Sequence, residues 1–213
     1  MSIMCLILGE SGTGKSCSMR NFIRGEVAVI NVSSKPLPFK STIKPFNTDD
    51  YSKITSTINS AVKAGYKRIV IDDSQYLMVN AFMRRFAEPG YQKYSDMARA
   101  HWDLIEYCKA LPADVTVYFM SHIERDRNGN EKAKTVGNMI DQYITLEGEF
   151  TIVLKTNVQD GKYFFQTHCS GIDTVKSPFG MFEADYIDND LKAVDAVIRD
   201  YYGIGGNSGT EGN

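Results

Sequence analysis

The chain has 213 residues, 43% hydrophobic and 23% charged, enough to build one α/β domain around a sizeable core. Its net charge of −2 excludes a strongly basic protein that holds nucleic acid by charge alone, leaving local or assembly-built contacts open. Cys5, Cys17, Cys108 and Cys169 lie far apart without a C-x-x-C pair, which argues against a zinc site or disulfide framework and for reduced thiols in a cytoplasmic setting. No leader pattern is present and no run approaches about 18 apolar residues, so neither export nor a membrane partner is expected.

Ile3 to Leu8 is a continuous apolar run ending in glycine, the pattern of a central parallel strand buried on both faces. Lys15 to Arg24 then reads as a helix that Gly25 stops. Val27 to Val32 is a second strand, and Ser33 to Asn47, with three prolines, is a loop. Asp49 to Ala64 reads as a helix capped by Asp49 or Asp50, with Ile54, Ile58, Ala61 and Val62 on one face. Arg68 to Asp73 is the next strand. Leu77 to Tyr94 is partly helical, broken at Pro89-Gly90, and Ser95 to Leu111 is a helix.

Val115 to Met120 is another apolar strand, followed by a polar loop with an Asn128-Gly129 turn signal. Phe150 to Asn157 and Lys162 to Thr167 alternate around Gln159-Asp160-Gly161, a β-hairpin pattern. Its alternation makes Phe164 or Phe165 a core residue more readily than a base-stacking one. Leu191 to Tyr202 is a final helix, and Gly203 to Asn213 is a Gly/Ser/Asn-rich tail expected to be disordered. The alternation predicts one doubly wound α/β domain over residues 1–202, a mostly parallel sheet flanked by helices with a C-terminal β-hairpin.

Gly9-Glu10-Ser11-Gly12-Thr13-Gly14-Lys15-Ser16 fits G-x-x-x-x-G-K-[ST], and it follows a strand and opens a helix, as a phosphate-binding P-loop requires. The glycines let backbone N–H groups converge on phosphates, and the helix N-terminus adds positive potential. Cys17 is the next residue within reach of the nucleotide. Lys15 is placed to reach the β- and γ-phosphates, and the Ser16 hydroxyl to bind Mg²⁺. Ile69-Val70-Ile71-Asp72-Asp73 supplies the matching strand: Asp72 for the Mg²⁺ shell, and Asp73 either to orient the attacking water or to cap a turn. Val117 to Met120 ends in Ser121-His122, where the strand-end position makes His122 either a γ-phosphate sensor or a structural histidine.

Taken together, these three elements resemble the RecA-like branch of P-loop ATPases. They are similar to small phage-encoded ATPases consisting of little more than a RecA-type core, some of which act in single-strand annealing and recombination. The resemblance runs from Ile3 to Tyr202. It implies ATP and Mg²⁺ as cofactors, hydrolysis, self-assembly into a ring or filament, and single-stranded DNA touched by the loops after the Asp and sensor strands. ATP rather than GTP rests on this likeness and on the missing N-K-x-D segment.

Both loops carry candidates. Arg84, Arg85 and Lys93 lie among Phe82, Phe86 and Tyr91, a mixture that suits phosphate contact plus base stacking. Arg125, Arg127, Lys132 and Lys134 lie in the second loop, alongside Glu124, Asp126 and Glu131. Either loop could equally be a solvated charged surface. The chain departs from the RecA-like pattern at the end of the second strand, where Asn31 and Ser33 stand instead of a glutamate. No trans-acting cation is singled out among the second-loop basic residues. An ATP-dependent protein-binding switch, such as a helicase-loading or assembly factor, is the alternative. A small-molecule kinase is third, since no Arg-rich lid segment is evident.

Overall fold

The computed structural model describes residues 1–136 and 145–204. Strand β1 (Ile3–Gly9) takes the first apolar run, and a 3-10 helix over Ser16–Asn21 follows the glycine-rich loop. Next come β2 (Ala28–Asn31), the short β3 (Phe46–Asn47) and helix α1 (Tyr51–Lys63). Strand β4 (Arg68–Asp72), helices α2 (Tyr76–Arg84) and α3 (Gln92–Lys109), and strand β5 (Thr116–Arg125) follow. The remaining described elements are β6 (Glu131–Ala133), a 3-10 turn at Leu146–Glu149, β7 (Ile152–Gln159), β8 (Lys162–Gln166), β9 (Tyr186–Asp188) and α4 (Leu191–Tyr201).

Among the described residues the sheet has nine strands, in the order β3-β2-β4-β5-β1-β7-β8-β9 with β6 paired to β5. From β3 through β7 every neighbouring pair along that path is parallel. The β7–β8 and β8–β9 pairs are antiparallel. The sheet is therefore mostly parallel with a hairpin near its end. Pleating splits β1 between two cores. Leu6 and Leu8 pack with Ile54 and Ile58 of α1 and with Leu104 and Ile105 of α3. Cys5 and Ile7 face the other way, toward Met19, Phe22 and the Leu191, Val194 and Ile198 stripe of α4.

Helix α1 shows what fixes these elements. Asp50 caps it, accepting from the Ser52 and Lys53 N–H groups, a contribution of about 1 kcal/mol. Ile54 and Ile58 are fully buried, and each such side chain contributes about 1.5–3 kcal/mol. Packing outweighs capping. Among the described residues no helix is long and apolar enough to cross a membrane.

Several elements differ from expectation. The helix predicted over 15–24 is a six-residue 3-10 helix. Its sequence, Ser16-Cys17-Ser18-Met19-Arg20-Asn21, is rich in weak helix formers. The Ser18 hydroxyl also donates to the Lys15 carbonyl at 2.6 Å, competing with the backbone ladder. Helix α3 begins three residues before Ser95, and β3, β6 and β9 are too short to carry a periodic signal. The hairpin turn is where it was expected, with Asp160 and Gly161 both at positive φ (52° and 73°), as a two-residue I′ turn requires. The expected tail lies outside the described residues from 205 onward.

Candidate functional site

Strands β1, β2, β4 and β5 all end at one edge of the sheet, and register decides which residues meet there. Gly9 pairs with His122, and Asn31 pairs with Asp72. Strand β5 runs between β1 and β4, so its His122 comes between the P-loop and the aspartates. This is the carboxyl edge of a parallel sheet, where ligands of α/β proteins bind.

The loop's glycines are required for two distinct reasons. Gly12 and Gly14 have φ of +81° and +98°, which side-chain-bearing residues adopt only at a cost. Gly9 lacks that constraint, yet a Cβ there would lie 1.9 Å from Thr156 Oγ1. Thr156, on β7, is 2.6 Å from the Thr13 hydroxyl, which itself donates to the Glu10 carbonyl at 2.8 Å. The neighbouring strand thus pins the loop. Gly9→Ala is expected to cost about 1–3 kcal/mol through overpacking, read as a lower denaturation midpoint, with Thr156→Ala in the same chain restoring part of it. A single variant with an unchanged midpoint would remove this account.

Lys15 Nζ donates to the Gly9 and Glu10 carbonyls, both at 2.8 Å. Burial lowers its ammonium to about 8, against the opposing pull of Asp73, Asp72 and Glu10. The Ser16 hydroxyl donates to Asp72 Oδ1 at 3.0 Å. Burial, and then the charge of Asp73, push Asp72 up to about 6, while Ser16 and Lys15 work in the other direction. Burial also acts to raise Asp73, but the His122 ring, the Ser33 hydroxyl and the Lys35 charge outweigh it and hold Asp73 below the ordinary carboxylate range. Adjacent carboxylates driven apart in this way are suited to different tasks. Asp73 has φ +58°, a left-handed conformation that costs of order 1–3 kcal/mol in a non-glycine residue. His122 Nε2 lies 3.7 Å from Asp73 Oδ1 and edge-on to Tyr76.

A cleft of about 290 Å³ gathers Ser11, Gly12, Gly14, Lys15, Ser16, Cys17, Asp72, Asp73 and His122. Gly9, Glu10 and Thr13 shape the loop without lining this space. Ser121 is buried and does not line it. Residues that sequence reasoning had not assigned to the site are Asn31, Ser33, Lys35, Pro36, Leu37, Pro38 and Tyr163. The departure noted at Asn31 and Ser33 was a usable signal, because a strand paired with β4 must end at the same edge. Tyr163 gave none, since alternation only placed one face of its hairpin, with Phe164 or Phe165, in the core.

The expected DNA-contacting residues separate. Lys93 is buried, and its Nζ donates to the carbonyls of Arg85, Phe86 and Glu88 at 3.4, 3.1 and 2.7 Å. Its role is to close the α2–α3 connection, which corrects its expected place in an exposed groove. Arg84 pairs with Asp49, and Arg85 with Glu88 and Asp96. In the β5–β6 hairpin, Arg125 pairs with Glu131 at 3.0 Å and Glu10 at 3.4 Å, and Lys132 with Glu124 at 3.1 Å. Arg127 and Lys134 are exposed.

The residues fit a nucleoside polyphosphate with a divalent cation. The loop backbone is open at Gly12, where a Cβ would meet nothing within 4 Å. Ser16 and Asp72 are hard oxygen donors, suited to Mg²⁺, which takes one or two protein ligands beside phosphate oxygens. Sheet, loop and carboxylates together define an α/β P-loop nucleotide-binding domain. The chain belongs to the AAA domain family, which it matches over residues 1–178. No curated protein matches it.

Proposed function

We propose that this chain is a Mg²⁺-dependent ATPase of RecA-like type that assembles on single-stranded DNA in phage-type recombination or replication. The observation that carries the ATPase reading is the convergence of Lys15, Ser16, Asp72, Asp73 and His122 on one cleft. Ser16 and Asp72 would hold Mg²⁺, which when bound neutralises charge on the phosphate oxygens. Lys15 gives up its carbonyl partners to reach phosphate. Asp73, ionised at neutral pH, accepts a hydrogen bond from water and orients it, and His122 keeps that carboxylate in place. Phosphoryl transfer needs little more than such positioning and charge stabilisation.

DNA contact is supported by the two loops at this edge. Phe86 and Tyr91 are 64% and 77% exposed, as base stacking requires. The Arg84–Asp49 and Arg125–Glu10 pairs are open to solvent, and pairs of that kind contribute about 0–1 kcal/mol. A polyanion can therefore displace Asp49 and Glu10, while Glu131 stays buried against Arg125 and Lys155. The same pairing, with Met83, Phe86 and Tyr91 exposed, also favours a second reading, a protein-binding switch. Assembly into a ring or filament would supply the multiplicity of weak contacts that a net-acidic chain needs.

ATP hydrolysis with and without single-stranded DNA, across a salt series, separates the readings. The DNA reading expects stimulation that fades steeply with salt, because counterions released from phosphates are then abundant. ATP binding with no DNA effect at any salt would sink it in favour of the protein switch.

A further inference from the structure

Lys15 and Lys35 carry the ammonium groups among the described residues that line the cleft. Only the first belongs to the P-loop. Lys35 lies on the segment after β2, and its surroundings fix it there. Asn31, buried at the end of β2, donates through Nδ2 to the Lys35 carbonyl at 2.6 Å and accepts from the Ser33 hydroxyl at 3.2 Å. Ser34 has φ +55°, and Pro36 and Pro38 stiffen the chain beyond it. Leu37 and Phe39 pack on the core. Above this rigid segment the Lys35 ammonium sits 5.2 Å from the Tyr76 ring centroid and is attracted by Asp73.

A strained residue beside a stiffened, side-chain-pinned loop is a device for holding one group in one place. The group held here is a cation on the side of the cleft that carries Asp73 and His122, where the terminal phosphate belongs if Ser16 and Asp72 hold the metal. Two cations of the β5–β6 hairpin are engaged elsewhere, Arg125 with Glu10 and Glu131 and Lys132 with Glu124. We propose that Lys35 is an intramolecular γ-phosphate clamp: it closes on the terminal phosphate of ATP bound to its own chain, opposite Lys15, and lets the segment after β2 distinguish ATP from ADP. This rests on the reading of the cleft as an ATP site. It also supplies in cis a positive charge of the kind that other P-loop enzymes take from a neighbour.

The test is equilibrium binding of a fluorescent non-hydrolysable ATP analogue and of the matching ADP, each with Mg²⁺, to the full chain. Lys35→Met keeps the apolar stem over Tyr76 and removes the charge. It is expected to weaken the ATP analogue about 10- to 100-fold, the size of one charge-assisted hydrogen bond, and to change ADP by less than about twofold. Lys35→Arg is expected to retain most of the discrimination. Unchanged ADP affinity also shows that the variant is folded. Equal weakening of both nucleotides, or of neither, would overturn the clamp while leaving the ATP site standing. A wild-type chain that binds neither nucleotide would overturn the site and the clamp together. Mixing Lys35→Met with Lys15→Ala should not restore tight binding of the ATP analogue, because the clamp acts within one chain; restored binding would place Lys35 on a neighbour's nucleotide instead.

Discussion

Lys15→Ala is expected to lower Mg²⁺-dependent ATP turnover by about 10²- to 10³-fold, the loss found when one preorganised charge-stabilising donor is removed. Lys15 is the ammonium at the centre of the P-loop, and two loop carbonyls hold it in position. Meeting phosphate exchanges those two neutral acceptors for a charged one, so the gain rests on the charge Lys15 brings to the developing transition state. Turnover within threefold of wild type would mean that the loop does not act on phosphate. A pH experiment on the nucleotide-free chain isolates the lysine's electrostatics. Its folded pKa is lowered to about 8 from 10.5, so between those values the folded chain binds fewer protons than the unfolded one. The Lys15 contribution to stability should therefore rise with pH across that window, while the buried Cys5 and Cys108 thiols, whose pKa values burial raises, act in the opposite direction above about pH 9. Below the window the full cost of burying the lysine charge remains. The denaturation midpoint of wild type relative to Lys15→Met should climb between pH 8 and 10.5, and a constant difference would show that the lysine is not desolvated.

Asp195→Ala is expected to destabilise the fold by about 2–4 kcal/mol, because it leaves the buried Tyr118 hydroxyl unsatisfied and the partly exposed Arg68 unpaired. Asp195 lies on α4, 1% exposed, and accepts from the fully buried Tyr118 hydroxyl at 2.7 Å and from Arg68 Nε. Burial, followed by the Asp195 charge, pushes the Tyr118 hydroxyl well above its ordinary range, so it remains a donor. The three residues lie on α4, β4 and β5, making this network a polar tie between the last helix and the sheet centre. Tyr118→Phe removes one neutral donor and should cost less, about 1–2 kcal/mol. Urea denaturation of the three proteins settles the order, and a loss below about 1 kcal/mol for Asp195→Ala would show the network to be dispensable.

Much of the nucleotide-binding half was legible because its signals are local. A loop that wraps phosphates needs glycine at fixed offsets and a lysine beside a hydroxyl. The strand before it is an uninterrupted apolar run because both its faces are covered. Asp72 was legible for the same reason, as the first charge after Ile69-Val70-Ile71. The basic residues expected to contact DNA were less so. Composition placed Lys93 among aromatics without showing that three carbonyls turn it inward, since a side chain's direction depends on the path of the surrounding chain.

By itself the sequence determined the P-loop, the buried strands, the hairpin turn and the mostly parallel α/β class, all of them properties of short windows whose periodicity or backbone chemistry allows few alternatives. The tertiary structure alone decided the strand order, the left-handed strain at Asp73, the pairing of His122 with it, and the placement of Lys35 over the same cleft. Those depend on which strand ends share one sheet edge, and residues 31–35, 72–73 and 122 become neighbours only through pairing across the sheet.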